Sequence, residues 1–377
     1  MKGAFMRIGI NLLNLSQERF GGVEQYISNL VRCLAESEEE IRLFLFLRNP
    51  FRDLFPDSNA RIKKVLFKRL RDVSDIHKAI HENQLDVWFC PLHKSYLSNI
   101  RIPVVAVIHD VLHTSYPDFV SGDLEWNNQY YQKFTPNFDA MITVSSFSKE
   151  AIVRNLGIPE EKIHVIYEDA PSVFSSPPDL KTKEAVREKY RLPDAYAFYP
   201  ASYNPHKNHH SLLNAFLLLK EKYNMPLSVV LTGYFYKGNK VYEEVLQFIK
   251  KNKLEAFVKL LGYIPAKEMP YLYYNSSFIV FPSLYEGFGI PLVEAMKTGT
   301  PIVCSDRGSI PEITGGAALM FNPEDPEEMA LQMLQVHDKK QELIKKGAER
   351  AKTFSWKKSA QDTLAVFRSV LSQERSS

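Results

Sequence analysis

Short apolar runs, each followed by a stretch with helical spacing, recur along this chain. In the first half they are MRIGINLL, IRLFLFL, KVLF, DVWFC, PVVAVI, DAMITV and KIHVIY. In the second they are YAFYP, LSVVLTG, FVKLLG, FIVFP, TPIVCS and AALMF, with helical patterns near 207–223, 239–252, 266–275 and 326–350. Strands apolar on both faces need helices over both faces, so the alternation restricts the chain to parallel α/β sheets. At 377 residues it exceeds what one core organises and suits two domains. PSVFSSPPDLK, residues 171–181, is rich in Pro and Ser and aperiodic, and reads as the linker between them. Beyond it the two halves share architecture without an internal repeat.

Composition narrows the function classes. Hydrophobic residues make up 45% and charged residues 24%, as in globular proteins, and the longest apolar runs fall well short of the roughly 18 residues that cross a bilayer. MKGAFMRIGINLLNL has a strand-like pattern and no cleavage signal, so secretion is not expected. Cys33, Cys90 and Cys304 stand alone in apolar surroundings, as buried thiols in a reducing cytoplasm would. A net charge of +3 without a binding motif gives no case for nucleic acid. One basic stretch, KKVLFKRLR, carries Lys63, Lys64, Lys68, Arg69 and Arg71; it reads first as a solvated face and second as a contact for anionic lipid.

The segment FPSLYEGFGIPLVEAMKTGTPIVCSD, residues 281–306, frames one helix between two buried strands. Pro291 suits the helix's first turn and Gly299 its exit. Glu286 then lies in the loop after the strand and Glu294 in the early turns of the helix. Gly287 and Gly289 allow close approach of a ligand, and the amides of Phe288, Gly289 and Ile290 sit where helix N–H groups lack partners and the dipole favours negative charge. The bland alternative is an ordinary strand-loop-helix connection with one solvated Glu and one Glu in the helix's N-terminal turn. After the first strand comes FGG and a helix bearing Val23, Ile27, Leu30 and Leu34. Ligands gather at the C-terminal ends of such strands, so Gly21 and Gly22 serve equally as a ligand-facing loop or a simple turn.

SLYEGFGIPLVEAMKTGTPIV, with Glu and Glu separated by seven residues, closely resembles the C-terminal signature of the GT4-type retaining glycosyltransferases. The resemblance extends through GYIPAKEMPYLYYNSSFIVFPS before it, SDRGSIPEITGGAALMFNPEDPEEMA after it, and GGVEQYISNL and IHDVLHTSYPDF in the first half, covering nearly the whole chain. It implies a GT-B fold, two Rossmann-like doubly wound domains facing across a cleft. The expected domains are an acceptor-binding domain at 1–175 and a donor-binding domain at 185–355. A last helix at 356–377, with Trp356, Ala360, Leu364, Phe367 and Leu371 on one face, is expected to pack back on the first. The absence of any D-x-D argues against the metal-dependent GT-A class, and no metal or other cofactor is expected.

The remaining roles come from the resemblance. His109, at the tip of the fifth strand with Asp110, contacts the donor sugar, with His113 a weaker candidate. Lys207, in ASYNPHKN, grips the diphosphate, where developing charge makes electrostatic stabilisation the dominant need. Glu286 faces the sugar, Glu294 accepts hydrogen bonds from the ribose hydroxyls, and the backbone at Tyr263 and Ile264 meets the base. The pattern departs in one place: the Arg many relatives carry in or before this loop is missing, and either His206, beside Lys207, donates to the diphosphate in its place or binding leans on Lys207 and the helix N-terminus. IHDVLHTSYPDF and ASYNPHKN resemble the branch that contains bacterial mannosyltransferases of surface-polysaccharide assembly, which implies GDP-mannose ahead of UDP-sugars as donor and a glycan or lipid-linked acceptor. Acceptor contacts are expected near 14–22, 93–96 and 112–130, where Tyr116, Phe119, Trp126, Tyr130 and Tyr131 either stack on carbohydrate or pack a helix, packing being preferred. The location implied is cytoplasmic, with peripheral contact at the inner membrane face in view. A GT-B epimerase or phosphorylase, or a non-catalytic scaffold subunit, remain the alternatives.

Overall fold

The structure, a computed structural model, describes residues 5–15, 21–55, 59–68, 73–92, 97, 99–120, 124–176, 178–225, 227–235 and 237–374, the side chains of 126, 127 and 374 excepted. Arg69, Arg71, the Trp126 side chain and the 93–96 loop therefore lie outside the described residues. The chain divides into two units, residues 1–168 with 355–377, and residues 169–354.

In the first unit β1 (Met6–Asn11), β2 (Ile41–Arg48), β3 (Ile62–Phe67), β4 (Val87–Cys90), β5 (Val104–Val107), β6 (Ala140–Thr143) and β7 (Ile163–Val165) form one parallel sheet. Its order is β3-β2-β1-β4-β5-β6-β7. In the second, β8 (Tyr196–Pro200), β9 (Ser228–Thr232), β10 (Val258–Leu260), β11 (Phe278–Phe281), β12 (Ile302–Ser305) and β13 (Leu319–Phe321) form a parallel sheet ordered β10-β9-β8-β11-β12-β13. Every apolar run singled out in the sequence is one of these strands. Both sheets reverse direction beside their first strand, which places a switch point for ligand binding at the C-terminal edges of β1 and β4 and of β8 and β11. Each of the two units is Rossmann-like.

The first unit packs core residues against both faces of its sheet. One face is closed by two helices, Gly22–Ala35 and Trp356–Glu374, with Tyr26, Leu30, Leu34, Trp356, Leu364 and Phe367 in a single core. The expected apolar face of the last helix is thus buried, Leu371 only partly, on the first unit. The Pro/Ser-rich stretch is more ordered than its composition suggests. Ser172–Phe174 makes a turn whose Phe174 ring lies 5.4 Å from that of Tyr273, and Asp179 caps a helix, Leu180–Lys189, by accepting from the Thr182 amide at 2.9 Å. Cys90 and Cys304 are buried as expected, whereas Cys33 is half-buried on the outer helix. No helix of the described residues is long and apolar enough to cross a membrane.

Phe367 is fully buried, its ring 5.2 Å from that of Phe89 on β4. Phe367→Ala should destabilise the first unit by about 3–5 kcal/mol. All three tryptophans belong to this unit, so urea unfolding followed by tryptophan fluorescence reads the loss directly.

Candidate active site

In the second unit, the loop after β8 and the loop after β11 are tied together by backbone. The Leu284 amide donates to the His206 carbonyl at 2.8 Å, and the Asn208 side-chain amide donates to the carbonyls of Pro282 at 3.2 Å and Pro323 at 2.8 Å. Tyr199, on β8, donates its hydroxyl to the Lys207 carbonyl at 2.7 Å. Held this way, the Lys207 ammonium lies 2.6 Å from Glu286 Oε1, and both side chains are largely enclosed. Burial alone would raise the Glu286 carboxyl, but the charge of Lys207 and hydrogen bonds from Lys207 and Ser283 outweigh it and hold the group below the usual carboxylate range. The tips of two neighbouring strands therefore deliver an ionised carboxylate and an ammonium to one point.

His206 stands beside Lys207 with a lowered imidazole. Burial first, and then the charge of Lys207, lower its imidazole to about 4, so at neutral pH it can donate an N–H but carries no charge. His209, fully buried and stacked on Tyr203 at 4.6 Å, is lowered to about 3 for the same reasons.

The helix Ile290–Thr298 follows this loop and ends, as read from sequence, at Gly299. Its N-cap is Gly289 with φ 94°, in the left-handed region that favours glycine. Loop 306–309 braces the approach from the next strand. Gly308, at φ 63°, comes so close that a Cβ there would stand 3.0 Å from the Glu286 amide nitrogen. Ser309 donates its hydroxyl to the Phe288 carbonyl at 3.0 Å. Gly287 and Phe288 are buried in this turn.

Glu294, 6% exposed, is a second carboxylate of opposite character. Burial raises it to about 7, opposed by a hydrogen bond that it accepts from the Tyr273 hydroxyl. Tyr273 was not singled out in the sequence; it looks like one more aromatic in LYYN, and only packing against Phe198 and Phe174 aims its hydroxyl at Glu294. The helix ends in Lys297, which pairs with the buried Asp169 at 2.6 Å, a cation where the dipole wants one. Of the base-reading pair, Tyr263 is 65% exposed and Ile264 is buried.

In the first unit Gly21 is the N-cap of its helix, and its amide donates to Glu24 Oε2 at 2.8 Å. That N–H is therefore engaged within the helix start and is not an open anion donor; Gly22 begins the helix proper. His109 follows β5 and is buried, with Tyr26 edge-on to its ring. Asp110 accepts from the Leu112 amide at 3.0 Å, which fixes the turn. His113 stacks on Tyr131 at 5.4 Å, and its Nε2 lies 3.1 Å from Asn128 Oδ1. Tyr116 stacks on Phe119, and Tyr130 on Phe134, so the described aromatics of this segment pack among themselves. Among the described residues no group of three or more His, Cys, Asp or Glu side chains converges as a metal ligand set.

Two Rossmann-ordered units, one with a lysine–carboxylate pair at the ends of two neighbouring strands, place the chain in the class of two-unit parallel α/β proteins. The chain belongs to the group 1, family 4 glycosyltransferases: Glycosyl transferases group 1 matches residues 182–354 and Glycosyltransferase Family 4 matches residues 20–168. It is 30% identical over 370 residues to O-antigen chain mannosyltransferase B of Escherichia coli, covering 92% of this chain and 96% of that one. It is 28% identical over 223 residues to O-antigen chain mannosyltransferase RfbU of Salmonella typhimurium, 58% of this chain and 56% of that one. Its fold matches Anabaena HepE, crystallised with UDP and glucose, with a TM-score of 0.78 at 19% identity over 97% of this chain and 100% of that one.

For Glu294 the folded state keeps a proton, up to about pH 7, that the unfolded chain releases in the ordinary carboxylate range, so this group's contribution falls as pH rises through 7. The Tyr273 hydroxyl limits that fall by favouring the ionised form. Tyr273→Phe should therefore destabilise the second unit by roughly 1.5–3 kcal/mol above pH 8 and by less near pH 5. Urea unfolding at the two pH values checks it; an equal loss at both would contradict the assignment.

Proposed function

We propose that the protein transfers mannose from a nucleoside diphosphate sugar, GDP-mannose by preference, to a glycan or lipid-linked acceptor of a surface polysaccharide, with retention at the anomeric carbon. The observation that carries the reading is the Lys207–Glu286 pair at the tips of β8 and β11, next to the start of the helix that bears Glu294. The similarity to a mannosyltransferase along 92% of the chain favours the sugar, and UDP-sugars are the comparison to run beside GDP-mannose.

In this reading Lys207 and the helix start carry the charge that develops on the departing diphosphate, a task that electrostatic preorganisation serves without a metal or other cofactor. Glu286, ionised and fixed by Lys207 and Ser283, faces the sugar and its developing positive charge. Glu294 accepts from the ribose hydroxyls with the carboxylate oxygens that Tyr273 leaves open. His109 meets the donor sugar from the first unit. A diphosphate leaves without a general acid, and the departing phosphate takes the acceptor's proton. The two glutamates are accordingly not a glycosidase acid and nucleophile. The enzyme works in the cytoplasm, with peripheral contact at an anionic membrane surface that presents a lipid-linked acceptor.

A nucleotide at one hundred times its dissociation constant adds roughly 2.7 kcal/mol to stability. Thermal unfolding with GDP, UDP, ADP and their sugar conjugates should show one base stabilising the wild type, with the shift lost in Glu294→Ala. Stabilisation by none would bring the non-catalytic scaffold forward. Glu286→Gln should lower turnover at least tenfold while nucleotide affinity changes by less than about threefold, since it acts on the reacting sugar. Proton NMR of the first-formed product should show the donor's anomeric configuration; an inverted product would refute retention. Consumption of the donor without acceptor, or only with inorganic phosphate, would favour an epimerase or phosphorylase.

A further inference from the structure

One buried carboxyl of the first unit stands outside this scheme. Glu168, just past β7, is 3% exposed, and its Oε2 has no hydrogen-bond partner among the described residues. Its Oε1 lies 3.9 Å from His109 Nε2, about 1 Å beyond a charge-assisted hydrogen bond and within reach of a small side-chain rotation. Tyr26 sets its ring edge against the imidazole, centroids 4.8 Å apart at 84°, and Trp356 backs Tyr26 at 5.7 Å. The Tyr26 hydroxyl is buried and likewise has no partner among the described residues. A carboxyl enclosed without a full set of partners is destabilising, and here it faces the one ring that the proposed reaction uses.

We infer that Glu168 is a positioning residue for His109: its carboxyl determines which imidazole nitrogen carries hydrogen, while Tyr26 fixes the plane of the ring. The inference rests on the reading in which His109 meets the donor sugar. Burial raises the Glu168 carboxyl to about 8, so at neutral pH it holds its proton; facing Nε2 across 3.9 Å, that proton favours a bare Nε2 and Nδ1 as the ring's N–H. Loss of that one proton to solvent at higher pH makes the carboxylate an acceptor from Nε2–H and turns Nδ1 into an acceptor. The pair thus switches His109 between donating and accepting through Nδ1. The other ionisable groups of this unit at hand are Tyr26, raised by burial and by the Glu168 charge, and Asp110, whose carboxylate accepts from the Leu112 amide.

The test uses the full chain labelled with ¹⁵N-histidine, with His109 assigned by comparison with His109→Gln. Long-range proton–nitrogen correlation should show the Nδ1–H tautomer at about pH 6, passing to Nε2–H with a midpoint near 8. Glu168→Gln, which cannot ionise, should keep one tautomer through the whole range. The turnover number should fall at least about fivefold between neutral pH and pH 9 in the wild type, along a limb that Glu168→Gln lacks, with donor KM within about twofold. A purely structural role would shift stability and leave tautomer and pH profile alone. Identical tautomer titrations in wild type and Glu168→Gln would overturn the inference. Full turnover by His109→Gln would instead overturn the role of His109 in transfer, and the tautomer shift would still read the coupling.

Discussion

The candidate site depends on a backbone tie between two strand ends. A single amide-to-carbonyl bond from Leu284 to His206, reinforced by the Asn208 side chain, holds the loop of β8 against the loop of β11. Lys207 and Glu286 are 79 residues apart in sequence, and neither would be enclosed without its partner. The pair is an enclosed ion pair, expensive to desolvate and strongly destabilising if only one member is removed. Such pairs add little to stability; in the proposed function its place at the switch point of a Rossmann-ordered sheet prepares it for a charged ligand.

Environment separates carboxylates that look equivalent on paper. Glu286 is held below the usual range by an adjacent ammonium and a serine hydroxyl; Glu294 is raised by burial with only a tyrosine hydroxyl in support; Glu168 is raised by burial alone. One is fully ionised at neutral pH, one titrates there, and one keeps its proton. In the proposed reaction the ionised Glu286 suits a reacting carbon that gains positive charge, Glu294 the donor's hydroxyls, and Glu168 acts on His109.

Much of the fold was legible because each strand is buried on both faces and so must be a continuous apolar run. The helix Ile290–Thr298 was equally plain, since Pro291 and Gly299 mark its ends through backbone chemistry local to each residue. Composition misled at 171–181, where Pro and Ser suggested a linker. Asp179 offered a capping signal for the helix beginning at Leu180, and the burial of Phe174 depends on Tyr273, about one hundred residues away. Gly21 was ambiguous for a similar reason: only the local turn shows that its amide is spent on Glu24.

By itself, then, the sequence determined the parallel α/β class, the order of strands and helices, and the identity of the polar residues at strand ends, because apolar periodicity and turn chemistry act over a few residues. Through its resemblance to a family it also marked Lys207, Glu286, Glu294 and His109. Tertiary structure alone decided their states: that Lys207 neutralises Glu286, that His206 carries no positive charge, that Tyr273 supports Glu294, and that Glu168 and Tyr26 enclose His109. Charge and proton occupancy depend on desolvation and on partners brought close by the fold, and neither is written in the spacing of residues along the chain.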